Sequence, residues 1–174
     1  QWWIDKLKYQ YPQQYEVILL ANNRHPPMTL RVNRRKTSVT DYQALLNRCE
    51  IESRQVWDNA LMLSKPIPTQ KLPMFAQGYV SIQDAGAQLA APFLDIRDGM
   101  TVLDACAAPG GKSTHLMEMA NIQLTVLDND QQRLGRVSEN FKRLGIEPFR
   151  QICGDAALPS SWWDGKRFDR ILAD

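Results

Sequence analysis

Cysteine is scarce and scattered: Cys49, Cys106 and Cys153 form no Cys-x-x-Cys pair and are odd in number. That argues against a disulfide framework and against a zinc site, and leaves reduced thiols. No apolar run approaches the roughly 20 residues that span a bilayer. The opening Gln1-Trp2-Trp3-Ile4-Asp5 also lacks the basic-then-apolar order of a signal peptide. A globular, soluble, cytoplasmic chain with neither membrane nor metal partner is expected. No repeat or low-complexity tract is present. The 174 residues, 44% hydrophobic, can build a real core in one ordinary domain or two small ones.

A net charge of +2 hides an asymmetry. Residues 1–75 carry eleven Lys/Arg against six Asp/Glu, net +5, and residues 76–174 carry ten against thirteen, net −3. A basic first half suggests a polyanion partner. Between the halves, residues 66–73 read Pro-Ile-Pro-Thr-Gln-Lys-Leu-Pro. Proline removes backbone donors and disfavours helix before itself, so this is an extended connector, and two domains, 1–75 and 76–174, are expected.

In the first half, Pro12 suits the first turn of a helix running to about Ala21, with Asn22 and Asn23 as its stop. Residues 28–33 alternate apolar and polar strictly, as a strand with one buried and one solvated face requires. Thr40 and Gln43 form a capping box for a second helix whose Leu45, Leu46 and Cys49 face a core. Residues 60–63 offer another strand. The first half is a small α+β unit.

In the second half, Ser81 and Asp84 make another capping box, and Ile82, Ala85, Leu89 and Phe93 recur at helical spacing until Pro92 ends or kinks the helix. Strands are expected at 101–105, 124–128, 150–153 and 170–173. Between the second and third lies an amphipathic helix with Leu134, Val137, Phe141 and Leu144 on one face, Asp130 as N-cap and Gly145 as stop. Strands alternating with helices at this spacing make an α/β unit with a parallel sheet.

The first of those strands runs into Asp104-Ala105-Cys106-Ala107-Ala108-Pro109-Gly110-Gly111-Lys112-Ser113-Thr114. Small residues at the carboxyl end of a strand let backbone N–H groups approach a ligand, and Gly110 and Gly111 open a helix whose electropositive end suits a carboxylate or phosphate. The end of a P-loop is matched by Gly111-Lys112-Ser113, but the first glycine of that motif falls at Cys106, without which the phosphate-wrapping turn is lost. A Rossmann-like S-adenosylmethionine site fits better. Such a site needs an acid about 20 residues on for the ribose hydroxyls, and Asp128 closes the second strand. Asp155 follows the third and could accept the adenine amino group. Asp174 ends the fourth, so four acids lie along one sheet edge.

These residues resemble the Sun/Fmu-type RNA cytosine-5 methyltransferases, whose cofactor loop matches Asp-Ala-Cys-Ala-Ala-Pro-Gly-Gly-Lys nearly letter for letter. The resemblance covers nearly the whole chain. Residues 22–33 look like the family's segment before the catalytic domain, Val80-Ser-Ile-Gln-Asp84 looks like its lead-in helix, and Phe168-Asp-Arg-Ile-Leu-Ala-Asp174 is similar to the start of a motif that continues Ala-Pro-Cys-Ser. It implies a Rossmann-like S-adenosylmethionine-dependent methyltransferase domain, its first four strands present, behind a small α+β domain. Cys106, Ala107, Ala108, Pro109, Gly110, Gly111 and Lys112 would hold the methionine end, Asp128 the ribose, Asp155 the adenine and Asp174 the reacting end; for Lys112, capping of loop carbonyls or a phosphate contact are open as alternatives.

The implied activity is methylation of cytosine C5 in small-subunit ribosomal RNA. That chemistry adds a cysteine thiolate to C6, which makes C5 nucleophilic. In the resembling family the cysteines follow the fourth strand, beyond Asp174; Cys106 would pack against the cofactor, and Cys49 and Cys153 read as core thiols. The chain is thus expected to bind cofactor weakly and not to methylate alone, with its fourth strand at an open sheet edge. Arg24, Arg31, Arg34, Arg35 and Lys36, among Asn22, Asn23 and Asn33, form a basic patch suited to RNA phosphates. His115 reads as a packed or capping residue and His25 as a loop residue. The competing readings are a non-catalytic RNA- or cofactor-binding module and a P-loop nucleotide hydrolase.

Overall fold

A computed structural model of the chain describes residues 1–147 and 150–174. Two helices lead, α1 (Trp2–Gln10) and α2 (Tyr15–Asn22). Pro12 lies in the turn between them, where the Gln14 N–H donates to the Tyr11 carbonyl at 3.0 Å, so α2 starts three residues later than the proline suggested.

An antiparallel sheet follows, built from β1 (Thr29–Val32), β2 (Ser53–Trp57), β3 (Ala60–Leu63) and β4 (Val80–Ile82) in the order β2-β3-β1-β4, with α3 (Val39–Arg48) between β1 and β2. Leu30, Val32, Tyr42, Leu46, Leu61 and Val80 form its core. Three expectations fail here. The cap of α3 is Ser38, whose Oγ accepts the Asp41 N–H at 3.0 Å, while Gln43 reaches the Ser53 carbonyl instead of completing a box with Thr40. Cys49 sits exposed at the helix end, outside the core.

The largest difference concerns residues 80–82. They pair with β1, Leu30 opposite Ile82 and Val32 opposite Val80. A Val-Ser-Ile run suits a pleated strand, and the pairing satisfies the free edge of β1. The first sheet therefore closes at Ile82, past the 75/76 division. Only short helical turns follow, Ala87–Leu89 and α4 (Ala90–Phe93), which holds Pro92 and leaves Phe93 exposed.

The second sheet is parallel: β5 (Thr101–Asp104), β6 (Gln123–Asp128), β7 (Arg150–Cys153) and β8 (Arg170–Leu172), in the order β7-β6-β5-β8, with α5 (Gly111–Met119) and α6 (Gln131–Leu144) as connections. Each strand lies within a residue or two of its expected place. α6 buries Leu134, Val137, Phe141 and Leu144; the Asp130 carboxylate caps the N–H groups of Gln132 and Arg133, and Gly145 ends the helix at φ +72°. Edge strand β7 leaves Cys153 exposed, so the third cysteine is no core thiol either. The chain reverses direction of growth between β5 and β8, the switch point where ligands of doubly wound sheets bind. Among the described residues no helix is long and apolar enough to cross a membrane.

The two sheets share an interface. From α6, Arg143 donates to the carbonyls of Phe75 and Val80, both at 2.9 Å, and lies 4.3 Å above the Phe75 ring. Gly78 permits this approach: at φ +74°, a Cβ there would sit 2.8 Å from the Arg143 carbonyl oxygen.

Candidate cofactor site

The loop between β5 and α5 is held on every side by hydrogen bonds. Ala105 N–H donates to the Leu172 carbonyl of β8 at 2.8 Å and Ala107 N–H to the Leu127 carbonyl of β6 at 2.9 Å, so the turn straddles three strand ends. From α6, Arg133 donates to the Ala108 carbonyl and Asn140 to that of Pro109. Gly110 takes φ +95° with its Cα against α6; a Cβ there would lie 3.2 Å from a Val137 methyl. Gly111 faces open space, since a Cβ would meet nothing within 4 Å, and no side chain caps α5. The result is a small-residue cradle beside an uncapped, electropositive helix end.

Two buried carboxylates anchor it. Asp128, at the end of β6, accepts the Ala108 N–H at 3.0 Å and the Asp130 N–H at 3.1 Å, with the Arg133 guanidinium 3.6 Å away. Asp104, at the end of β5, accepts the Ser113 hydroxyl at 2.5 Å. Burial pushes the Asp104 carboxyl above its usual range, opposed by the Ser113 hydroxyl, the Cys106 N–H and Lys112, while Asp128 adds to the rise. Lys112 pairs with Asp174, which brings the end of β8 to the loop. Cys106 is exposed on the rim. Asp155 is exposed and accepts the Ala157 N–H at 2.9 Å in its own turn.

Two family models match the chain. Residues 1–70 match the ferredoxin-like domain of RsmF/B-like methyltransferases, and residues 91–174 match 16S rRNA methyltransferase RsmB/F. The chain belongs to the RsmB/F methyltransferase family. Ribosomal RNA small subunit methyltransferase B of Vibrio vulnificus is 44% identical over 176 residues, and that of Vibrio cholerae 45%. The chain spans about 40% of the length of these curated relatives. Among solved structures, a methyltransferase homologue from Pyrococcus horikoshii superposes with a TM-score of 0.81 at 27% identity, covering 94% of this chain and 55% of its own. NSun6 of the same organism, solved with SFG, gives a TM-score of 0.82 at 17% identity, with 98% and 69% covered, and shows the shared fold. The ferredoxin-like match covers β1, β2 and β3 of the first sheet, and the parallel sheet is the Rossmann-like methyltransferase domain.

Within this RsmB/F-type chain the basic patch does not stand as expected. Arg31 is fully buried, not on a solvated strand face. All five of its N–H groups are used: Nε and Nη2 grip both oxygens of Glu118 at 3.0 and 2.7 Å, Nη2 also reaches Thr114, and Nη1 donates to Gln83 and to the Gly111 carbonyl, each at 2.6 Å. Arg35 likewise crosses to the Glu118 carbonyl and to Asn121. Arg31 has no N–H left for a phosphate, whereas Arg35 is exposed and uses only Nε and Nη2 in these contacts. The polar face of β1 is the docking face for α5, which explains why all four of its residues are buried. Arg24 and Arg34 remain exposed, Arg34 in an ion pair with Asp58, and Lys36 holds the Gln77 carbonyl.

Ser113, Arg133 and Asn140 were missed as residues that shape the site. Arg133 and Asn140 lie seven residues apart, two turns along one face of α6, and that spacing was the available signal. Nothing in sequence order links Arg31 to Glu118, 87 residues on.

Proposed function

We propose that the chain is the cofactor-binding part of an S-adenosylmethionine-dependent methyltransferase of small-subunit ribosomal RNA, acting at cytosine C5 in the cytoplasm. The observation that carries this is the loop at the β5/β8 switch point, tied through Ala108 to the buried Asp128 and leaving the α5 end open. S-adenosylmethionine supplies the electrophilic methyl group. Asp128 takes the ribose hydroxyls with its remaining lone pairs. Cys106, Ala107, Ala108, Pro109, Gly110, Gly111 and Lys112 line the methionine end, Asp155 receives the adenine amino group, and Asp174, held by Lys112, borders the reacting end. None of the three cysteines is the nucleophile in this reading: Cys49 and Cys153 lie off the loop, and Cys106 is part of it. The chain alone therefore does not transfer methyl groups. RNA phosphates meet the first unit at Arg24, Arg34, Arg35 and Lys36; the buried Arg31 serves the interface instead.

Calorimetry with S-adenosylmethionine tests the cofactor assignment. Asp128→Ala should abolish measurable binding while the fold, followed by circular dichroism, persists. Unchanged affinity would remove the ribose role from Asp128.

A further inference from the structure

Helix α5 opens on Gly110 and Gly111 without a side-chain cap. A glycine pair has wide conformational freedom, and an uncapped first turn frays unless other groups hold it. Here groups from both units do. Within the second unit, the Ser113 hydroxyl donates to Asp104 at 2.5 Å and Lys112 pairs with Asp174. From the first unit, Arg31 Nη1 donates to the Gly111 carbonyl at 2.6 Å and Arg31 Nη2 to the Thr114 hydroxyl at 3.0 Å. That hydroxyl in turn donates to the same Gly111 carbonyl at 3.1 Å. Arg31 and Thr114 are 0% and 1% exposed, so bulk water does not compete for these contacts.

Gly111, Thr114 and Glu118 fall at helical spacing on one stripe of α5, and Arg31 spans that stripe from the first turn to the last. The salt bridge to Glu118 alone would fasten the far end of the helix to β1. The contacts to Gly111 and Thr114 pair no further charge; they fix the backbone of the turn that borders the cofactor loop. A planar guanidinium fork serves all these acceptors at once, whereas a lysine ammonium is a point donor on a flexible stem. A Cβ on Gly111 would meet nothing within 4 Å, so the turn is held and still open to approach. We infer that Arg31 is a positioning residue of the cofactor site. By holding the Gly111 carbonyl it sets the α5 end that receives the methionine carboxylate of S-adenosylmethionine, which makes the docked first unit part of that site. The inference rests on the cofactor reading proposed above.

The test is equilibrium dialysis of the full chain against S-adenosylmethionine and against methylthioadenosine, which keeps the adenosine and the sulfur but lacks the amino-acid end. Arg31→Lys keeps a cation beside Glu118 and loses the reach to Gly111. It should weaken S-adenosylmethionine about ten-fold, the scale of one hydrogen bond to a charged group, and leave methylthioadenosine unchanged. Thr114→Val removes the hydroxyl between Arg31 and the Gly111 carbonyl. It should show the same selective loss to a smaller degree, and it carries the test if Arg31→Lys does not fold. Asn121→Ala, which releases an Arg35 contact at the other end of α5, should change neither affinity. A residue that only braced the interface would move both ligands together or neither. Equal weakening of the two ligands, or undiminished S-adenosylmethionine affinity in both variants, would overturn the positioning role and leave the methyltransferase reading intact. A wild-type chain without S-adenosylmethionine binding would overturn the function proposed above and this inference with it.

Discussion

β1 and β5 are both short central strands with almost no exposed surface, yet they are buried for different reasons. β5 has parallel neighbours on either side and helices against the sheet, so its Val102 and Leu103 meet apolar side chains on both faces. β1 has one apolar face, Leu30 and Val32, and one polar face, Thr29 and Arg31, which is closed by the other unit. A strand can therefore lose its solvent-facing side to a neighbouring domain without changing a residue, provided its charged group finds partners there. Arg31 finds five, while the Thr29 hydroxyl on the same face has none among the described residues.

The strongest way to break the contrast is to remove that arginine. Arg31→Ala strands the Glu118 carboxylate in the interface, and urea unfolding should show a loss of about 3–5 kcal/mol. Arg31→Met combined with Glu118→Leu should recover most of it, since no buried charge then lacks a partner. A cost below about 1 kcal/mol for Arg31→Ala, the scale of an exposed ion pair, would mean that the polar face of β1 behaves as solvated after all.

Acid should separate the units next. The unfolded His115 imidazole takes a proton near its ordinary 6.5 and the buried one only at about 3. Between those values the unfolded chain binds more protons, so stability present above about pH 6.5 is lost as pH falls toward 3, at up to ~1.4 kcal/mol per pH unit. Unfolding midpoints across this window should flatten in a His115→Gln variant that still folds. An unchanged slope would assign the acid sensitivity to the carboxylates.

The helix caps give a finer comparison. Asp130→Ala, which frees two N–H groups of α6, should cost about 1–2 kcal/mol, and Ser38→Ala, which frees one in α3, about 0.5–1 kcal/mol by thermal or urea unfolding. The smallest effect belongs to Arg34→Ala, whose Asp58 pair is exposed on both sides. Its loss should shift stability by less than about 1 kcal/mol, so a weakened RNA affinity in that variant reports binding and not folding.

The second unit was legible nearly element by element. The apolar face of α6, the Gly145 stop and four strand-turn boundaries are local signals, and the parallel sheet obeys them because each helix covers the strands it connects. The first unit misled wherever a residue's partner is distant. Val80-Ser-Ile carries a period-2 pattern too short to weigh against the helical spacing that follows it, and what makes it a strand is the open edge of β1. Ser38 displaced Thr40 as cap although both carry a suitable hydroxyl, and the Cys49 thiol lies outside the core it was assigned to, as does Cys153 in the second unit.

The amino-acid order alone determined the loop at 104–114, the acid that closes β6 and the alternation of strands and helices around them. These depend on residues within one or two turns of chain, where φ/ψ limits, capping groups and apolar period act directly. The use made of the basic residues was decided by the tertiary structure. Whether a guanidinium faces a phosphate or a buried glutamate depends on which surface meets which, and Arg31 and Glu118 meet only where the two units pack together. The same packing brings Asn59, Gln88 and His115, distant in sequence, around one cavity.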